Sequence, residues 1–117
     1  MLIHFCKSKI AYGHITEAQL YYEGSITIDE TLLKAVGIVP GEKVEVLNVN
    51  NGVRLETYAM AGKAGSGQIC LNGPAARLGF SGDQVIILSY GLLDARAAQK
   101  SKTKVIYLNE KNRIRRR

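Results

Sequence analysis

The stretch Lys43-Val44-Glu45-Val46-Leu47-Asn48-Val49-Asn50-Asn51-Gly52-Val53-Arg54-Leu55-Glu56-Thr57-Tyr58-Ala59-Met60-Ala61 decides the fold class. Two runs rich in β-formers flank Asn51-Gly52, a type I′ hairpin signal, because both central residues of that turn need a positive φ. Strands are expected from Lys43 to Val49 and from Val53 to Ala61. In the second, Arg54, Glu56 and Tyr58 alternate with Val53, Leu55, Thr57 and Ala59, so one face is polar and Arg54 and Tyr58 point the same way. Upstream, Asp29 is a natural N-cap for a short helix from Glu30 to Val36. Leu32, Leu33 and Val36 share one face of it, and Gly37 suits the left-handed residue after its last turn.

The same reading extends in both directions. Leu2 to Ile10 forms a strand, Thr16 to Leu20 a brief helical turn capped by Thr16, and a second strand starts near Ser25. Gly62 to Gly67 is a loop, Gln68 to Leu71 a strand, Pro74 to Leu78 a helical turn and Gln84 to Tyr90 a strand. Asp94 to Gln99 is helical, and Lys104 to Leu108 completes about six strands. Twelve glycines punctuate these short pieces, and nothing has the long strand-helix alternation of a doubly wound sheet. A small, mainly β barrel with short helices is the expected architecture.

The 117 residues fit one domain, and 46% apolar composition can fill a core. The longest strongly apolar run, Val85 to Leu88, is far short of the roughly 18 residues of a membrane helix, so no membrane partner is expected. The N-terminus lacks the basic flank and apolar stretch of a secretory signal. Two cysteines, Cys6 and Cys70, give no disulfide framework, which points to the cytoplasm. The formal charge of +6 suggests an anionic partner until it is located. Eight of the 16 Lys and Arg lie from Lys100 onward with Glu110 as the sole acid. Eight basic and nine acidic residues remain in the first 99, a body of −1. Residues 1–110 are therefore taken as the domain and 111–117 as a solvated basic tail, and nucleic acid is not an expected partner.

Several chemistries lack their spacing. His4 and Cys6 share a strand face, but no second pair completes a tetrahedral metal site. No nucleophile-elbow motif accompanies His4 or His14. Gly62 to Gly67 lacks the phosphate-loop spacing and leads into a strand. The segment Tyr21-Tyr22-Glu23-Gly24-Ser25-Ile26-Thr27-Ile28-Asp29 is different. A Ser hydroxyl beside a Gly carbonyl supports an N-to-O acyl shift, and glycine permits the backbone such attack needs. Elimination and hydrolysis of the ester leave a pyruvoyl group at position 25, an electrophile made from the chain itself.

Lys7-Ser8-Lys9-Ile10, Tyr22-Glu23-Gly24-Ser25, Asn48-Val49-Asn50-Asn51-Gly52, Arg54-Leu55-Glu56-Thr57-Tyr58, Asn72-Gly73-Pro74-Ala75-Ala76 and Gly82-Asp83-Gln84-Val85-Ile86-Ile87 follow one another in an order that resembles the pyruvoyl-dependent aspartate 1-decarboxylases over nearly the whole chain. The resemblance implies a six-stranded double-psi β-barrel, a homotetramer with active sites between subunits, and a proenzyme that cleaves itself between Gly24 and Ser25. It also implies conversion of L-aspartate to β-alanine and carbon dioxide for pantothenate synthesis, through a Schiff base to the pyruvoyl group.

On that resemblance Ser25 and Tyr58 are catalytic, Tyr58 as proton donor. Lys9 and Arg54 bind the dicarboxylate, Arg54 with a bidentate fork. Thr57 and Asn72 assist cleavage and hold reacting oxygens, Gly73, Pro74 and Ala75 bring backbone to the substrate, and Tyr22 lines the pocket. Whether maturation is spontaneous or needs a partner protein stays open. Ala11 and Tyr12 stand where many members have His-Arg, Leu47 where some have Trp, and Pro74, which lacks an N–H, where Ala is usual. The rival reading is a small swapped-hairpin DNA-binding regulator, which the helix-Gly-turn-strand unit from Leu33 to Val46 resembles. A pyridoxal phosphate enzyme built on Lys9 lacks both room and a phosphate site.

Overall fold

The computed structural model describes residues 1–115. The described strands are β1 (Leu2–His14), β2 (Glu17–Gln19), β3 (Ser25–Asp29), β4 (Lys43–Asn48), β5 (Arg54–Gly62), β6 (Ile69–Asn72), β7 (Gln84–Asp94), β8 (Lys104–Leu108) and β9 (Ile114–Arg115). Between them lie α1 (Glu30–Val36), α2 (Ala95–Lys100) and a 3₁₀ turn (Gly73–Leu78). The strands neighbour one another in the order β2-β6-β3-β5-β4-β7-β1-β8-β9. Three of the pairings are parallel, β1 with β8, β2 with β6 and β3 with β5, so the chain repeatedly crosses over rather than running as a meander. No described helix is long and apolar enough to cross a membrane.

The short helix forms as its caps require. The Asp29 carboxylate accepts from Thr31 N–H at 2.8 Å, and Gly37, at φ +74°, donates its N–H to the Leu33 carbonyl. Leu32, Leu33 and Val36 then join Ile10, Ile26, Ile28, Val44, Val46, Leu71 and Ile87 in a single core. The Asp29 carboxylate also accepts from the N–H groups of Gly65 and Gly67, both at 2.9 Å, and so ties the loop after β5 to the start of α1. Burial pushes this carboxyl upward, but the bonds from Gly67, Gly65 and Thr31 outweigh that, and its pKa is lowered overall.

Four expectations need correction. Residues 17–19 are a strand, not a helical turn: Thr16 exchanges hydrogen bonds with Ile69, its backbone and side chain both engaging that residue, and this starts a parallel ladder with β6. Nine strands rather than about six are present among the described residues. The hairpin between β4 and β5 is present, but its turn is not type I′, because Gly52 (φ +76°) is the one residue of the loop with positive φ. The Asn48 side chain instead accepts from Asn50 and Asn51 N–H, and Gly52 N–H closes on the Asn48 carbonyl at 2.9 Å, a wider turn built by an asparagine side chain. Finally, the basic end is not solvated as a whole. Asn112 is buried, its Oδ1 accepts from His14 N–H, its Nδ2 donates to the carbonyls of His14 and Gly67, and β9 pairs with β8. Arg116 and Arg117, the rest of the expected tail, lie outside the described residues.

Candidate active site

Ser25 opens β3, and strand alternation sets Ser25 and Thr27 on one face while Ile26 and Ile28 enter the core. On the antiparallel neighbour β6, Ile69 and Leu71 are core and Cys70 and Asn72 take the other face. The register pairs Ser25 with Asn72 and Thr27 with Cys70, so four small polar side chains meet in one patch. Ser25 is 1% exposed. Its oxygen accepts from Asn72 Nδ2 at 3.0 Å and its proton is directed to the Glu23 carbonyl at 3.5 Å. The second Asn72 amide hydrogen goes to Thr27 Oγ1 at 2.8 Å, and Asn72 Oδ1 accepts from Cys70 Sγ at 3.2 Å. Burial pushes the Cys70 thiol up to about 11, helped by Glu17, so it stays protonated at neutral pH. None of these four groups carries a charge.

The chain turns sharply after Asn72. Gly73 has φ +68°, and a Cβ there would lie 2.6 Å from the Tyr22 carbonyl oxygen and 2.8 Å from Gly24 N. Only a glycine allows the 3₁₀ turn to press against the backbone of 22–24. Pro74 stands at the start of that turn, with its Cδ 3.6 Å from where a Cβ on Gly24 would be, and Ala75 is buried in the core. The backbone leading into the Gly24–Ser25 peptide is thus packed against Gly73 and Pro74.

Tyr58 belongs to the same region by register. Ile26 pairs with Ala59 in the parallel β3–β5 ladder, so Tyr58 sits beside Ser25 and shares its face, half-exposed. Thr57 takes the opposite face, with Ala59. Tyr22, 61% exposed, lies at the surface and not in the buried patch.

Both expected substrate-binding cations lie at a distance from Ser25. Arg54 is four residues before Tyr58, about 13 Å along β5. It lines a separate groove of about 590 Å³ with His4, Lys43, Glu45, Glu56 and Tyr90. There its Nη1 lies 2.8 Å from Glu45 Oε1, and Tyr90 donates its hydroxyl to the same oxygen at 3.2 Å. Burial raises the Tyr90 pKa, and the adjoining Glu45 carboxylate adds to that, so the phenol keeps its proton. Lys9 is on β1, paired with Leu88 of β7, which in turn pairs with Glu45 of β4. That row carries Lys9 onto the Arg54 side of the sheet, four strands from β3. A single chain therefore gathers Gly24, Ser25, Asn72, Gly73, Pro74 and Tyr58, and holds Arg54 and Lys9 away from them, farther along the same face of the sheet.

Thr27, Cys70, Glu45 and Tyr90 carry no functional role in the sequence reading. Thr27 and Cys70 were accessible through alternation, each two residues from a singled-out position. Glu45 and Tyr90 become neighbours of Arg54 only through the β4–β5 and β4–β7 registers.

A family model for aspartate decarboxylase matches residues 1–115. Aspartate 1-decarboxylase of Leptospira biflexa serovar Patoc is 50% identical over 114 residues, 97% of both chains. That of Acetivibrio thermocellus is 53% identical over 97% of this chain and 90% of its own, and that of Dehalococcoides mccartyi 54% over 92% and 87%. The match runs the length of the described residues, and the chain belongs to the aspartate decarboxylase family of enzymes.

Proposed function

We propose that the chain decarboxylates L-aspartate to β-alanine and carbon dioxide, using a pyruvoyl group made from Ser25 by cleavage of the Gly24–Ser25 peptide, and so supplies pantothenate synthesis in the cytoplasm. The observation that carries this reading is the buried Ser25 hydroxyl, oriented by Asn72 while Gly73 packs against the backbone of Tyr22 and Gly24. Such a hydroxyl is already desolvated and fixed within the residue that follows the carbonyl it would attack, which lowers the entropic barrier to an intramolecular reaction.

In maturation, Ser25 Oγ adds to the Gly24 carbonyl carbon, the C–N bond breaks, and the nitrogen takes up the hydroxyl proton, leaving an ester. Loss of the Ser25 Cα proton breaks the Cβ–O bond, freeing the Gly24 carboxylate and a dehydroalanine. Water then replaces nitrogen, which leaves as ammonia. Asn72 Nδ2 donates to Ser25 Oγ, and that bond strengthens as Oγ departs in the Gly24 carboxylate, the kind of preset dipole that favours developing negative charge. The finished group supplies a carbonyl that takes up the substrate amine and draws off the electrons left by carbon dioxide.

The chain's own side chains do the rest. The Tyr58 hydroxyl, beside Ser25 on the same face, returns a proton to the carbon that lost carbon dioxide. Arg54 forks onto a substrate carboxylate, and Lys9 adds a second positive charge. Because one chain holds Lys9 and Arg54 apart from Ser25, these cations come from a neighbouring subunit, which favours active sites shared across a homotetramer. The three parallel pairings between distant strands are what a double-psi barrel needs.

Intact-mass measurement of purified protein tests the reading. Fragments 1–24 and 25–117 are expected, the second lighter than a serine-headed chain by the change from serine to pyruvoyl, together with carbon dioxide release from L-aspartate. A chain that stays whole after prolonged warming, with or without cell extract, would sink it. Ser25→Ala should remain uncleaved.

A further inference from the structure

We infer that Cys70 is a positioning residue for maturation: its thiol donates to Asn72 Oδ1 and thereby fixes which way the Asn72 amide points at Ser25. This rests on the cleavage of Gly24–Ser25 proposed above and assigns a partner to its orienting side chain.

An asparagine amide has two ends that differ in what they offer. With Nδ2 toward β3, it donates to both Ser25 Oγ at 3.0 Å and Thr27 Oγ1 at 2.8 Å. With the ends exchanged, the carbonyl oxygen would face the hydroxyls and accept their protons. The Ser25 oxygen would then lose the donor that favours its departure in the Gly24 carboxylate when the ester is eliminated and the chain is cut. Both arrangements satisfy the β3 side, so something on the far side must choose. That something is the Cys70 sulfur, 3.2 Å from Asn72 Oδ1 and two residues away on the same strand face. A thiol is weak in both roles, but its one hydrogen meets Asn72 Oδ1 more closely than the Leu71 carbonyl at 3.8 Å, and it suits an oxygen there better than an amide N–H. Asn72 and Cys70 are both at most 2% exposed, so water cannot substitute for a mismatched bond. The thiol is kept in its donating form by the burial that raises its pKa to about 11.

The thiol thus acts through Asn72 and touches no reacting atom itself. Its volume is also a packing element, and the test must separate the two roles. Freshly purified precursor of the full chain is followed by intact mass for the appearance of fragments 1–24 and 25–117. Cys70→Ser keeps a donor in a smaller side chain and should cleave within about threefold of the wild-type rate. Cys70→Ala has no donor and should be slower by about tenfold, the scale of one misdirected buried hydrogen bond. Once matured, both should turn over L-aspartate with unchanged KM.

Equal cleavage by Cys70→Ala and wild type overturns the positioning role while leaving the cleavage reading intact. Equal slowing of Cys70→Ser and Cys70→Ala overturns it too, because loss of volume would then account for both. Should Cys70→Ala fail to fold, Cys70→Val, which also lacks a donor but fills the space, takes its place: a tenfold loss upholds the role and a near-native rate removes it. A wild-type chain that never cleaves removes both readings together.

Discussion

Two polar regions of this molecule have opposite designs. Around Ser25 the groups are uncharged, mostly buried and satisfied by one another through Asn72, with a glycine turn pressed on the backbone just before the peptide to be cut. Around Arg54 they are charged and open to solvent, Arg54 with 59% of its side chain exposed and held by Glu45. A buried neutral network gives fixed geometry, which a reaction of the chain on itself requires. An open charged groove gives little geometry, but its cation can exchange a protein carboxylate for a substrate carboxylate at small cost. The first region is finished within one chain, whereas the second awaits a ligand or a second subunit.

The largest expected effect breaks the buried side of this contrast. In Gly73→Ala the new methyl would lie 2.6 Å from the Tyr22 carbonyl oxygen, and an L-residue would have to hold φ +68°. Positive φ costs about 1–3 kcal/mol, and the overlap moves the backbone that carries Gly24. Fragment formation should fall by about a hundredfold, the consequence of displacing reacting atoms by roughly an ångström. Intact mass against time measures it, and a variant that cleaves normally would show that this packing is not needed.

How much of this was legible beforehand depended on the range of the interactions. The helix from Glu30 to Val36 and its two caps follow from residues within one turn, and the structure has Asp29 and Gly37 in those roles. The wide turn after β4 was misread because Asn51-Gly52 was weighed alone, while the Asn48 side chain three residues earlier decides the geometry. Strand β9 and the burial of Asn112 could not be read locally at all. Their partners, β8, His14 and Gly67, are supplied by the fold, and the surrounding arginines gave the segment a solvated composition. At the site, Gly24, Ser25 and Asn72 lie together, but the patterns carried no sign that Lys9 and Arg54 sit apart from them in one chain. That separation comes from a sheet order in which β3 and β1 are four strands apart.

A smaller effect sharpens the charged side. Arg54→Lys keeps the positive charge but loses the planar fork, so it distinguishes recognition by shape from simple attraction. Cleavage of the Gly24–Ser25 peptide should be untouched, since Arg54 has no part in the buried patch. The KM for L-aspartate should rise about tenfold with a smaller change in kcat, as expected for the loss of one charge-assisted bond from ground-state binding. A matured variant with native KM would remove Arg54 from substrate recognition.

The smallest effect is expected at Tyr90, and its smallness is the informative part. The Tyr90 hydroxyl donates to the same Glu45 oxygen that holds Arg54, so Tyr90→Phe deletes one support of the guanidinium without altering charge. Were the groove built like the buried patch, losing that bond would misplace Arg54 and cost as much as Cys70→Ala costs cleavage. In an open groove water replaces the lost donor, and exposed ion pairs contribute about 0–1 kcal/mol in any case. The KM for L-aspartate should therefore change less than about twofold, and any change should shrink further as salt is raised and the Glu45–Arg54 attraction is screened. A tenfold, salt-independent effect would mean that the groove is dry in the assembled enzyme, covered by another subunit, and that both regions obey the same rule once the molecule is complete.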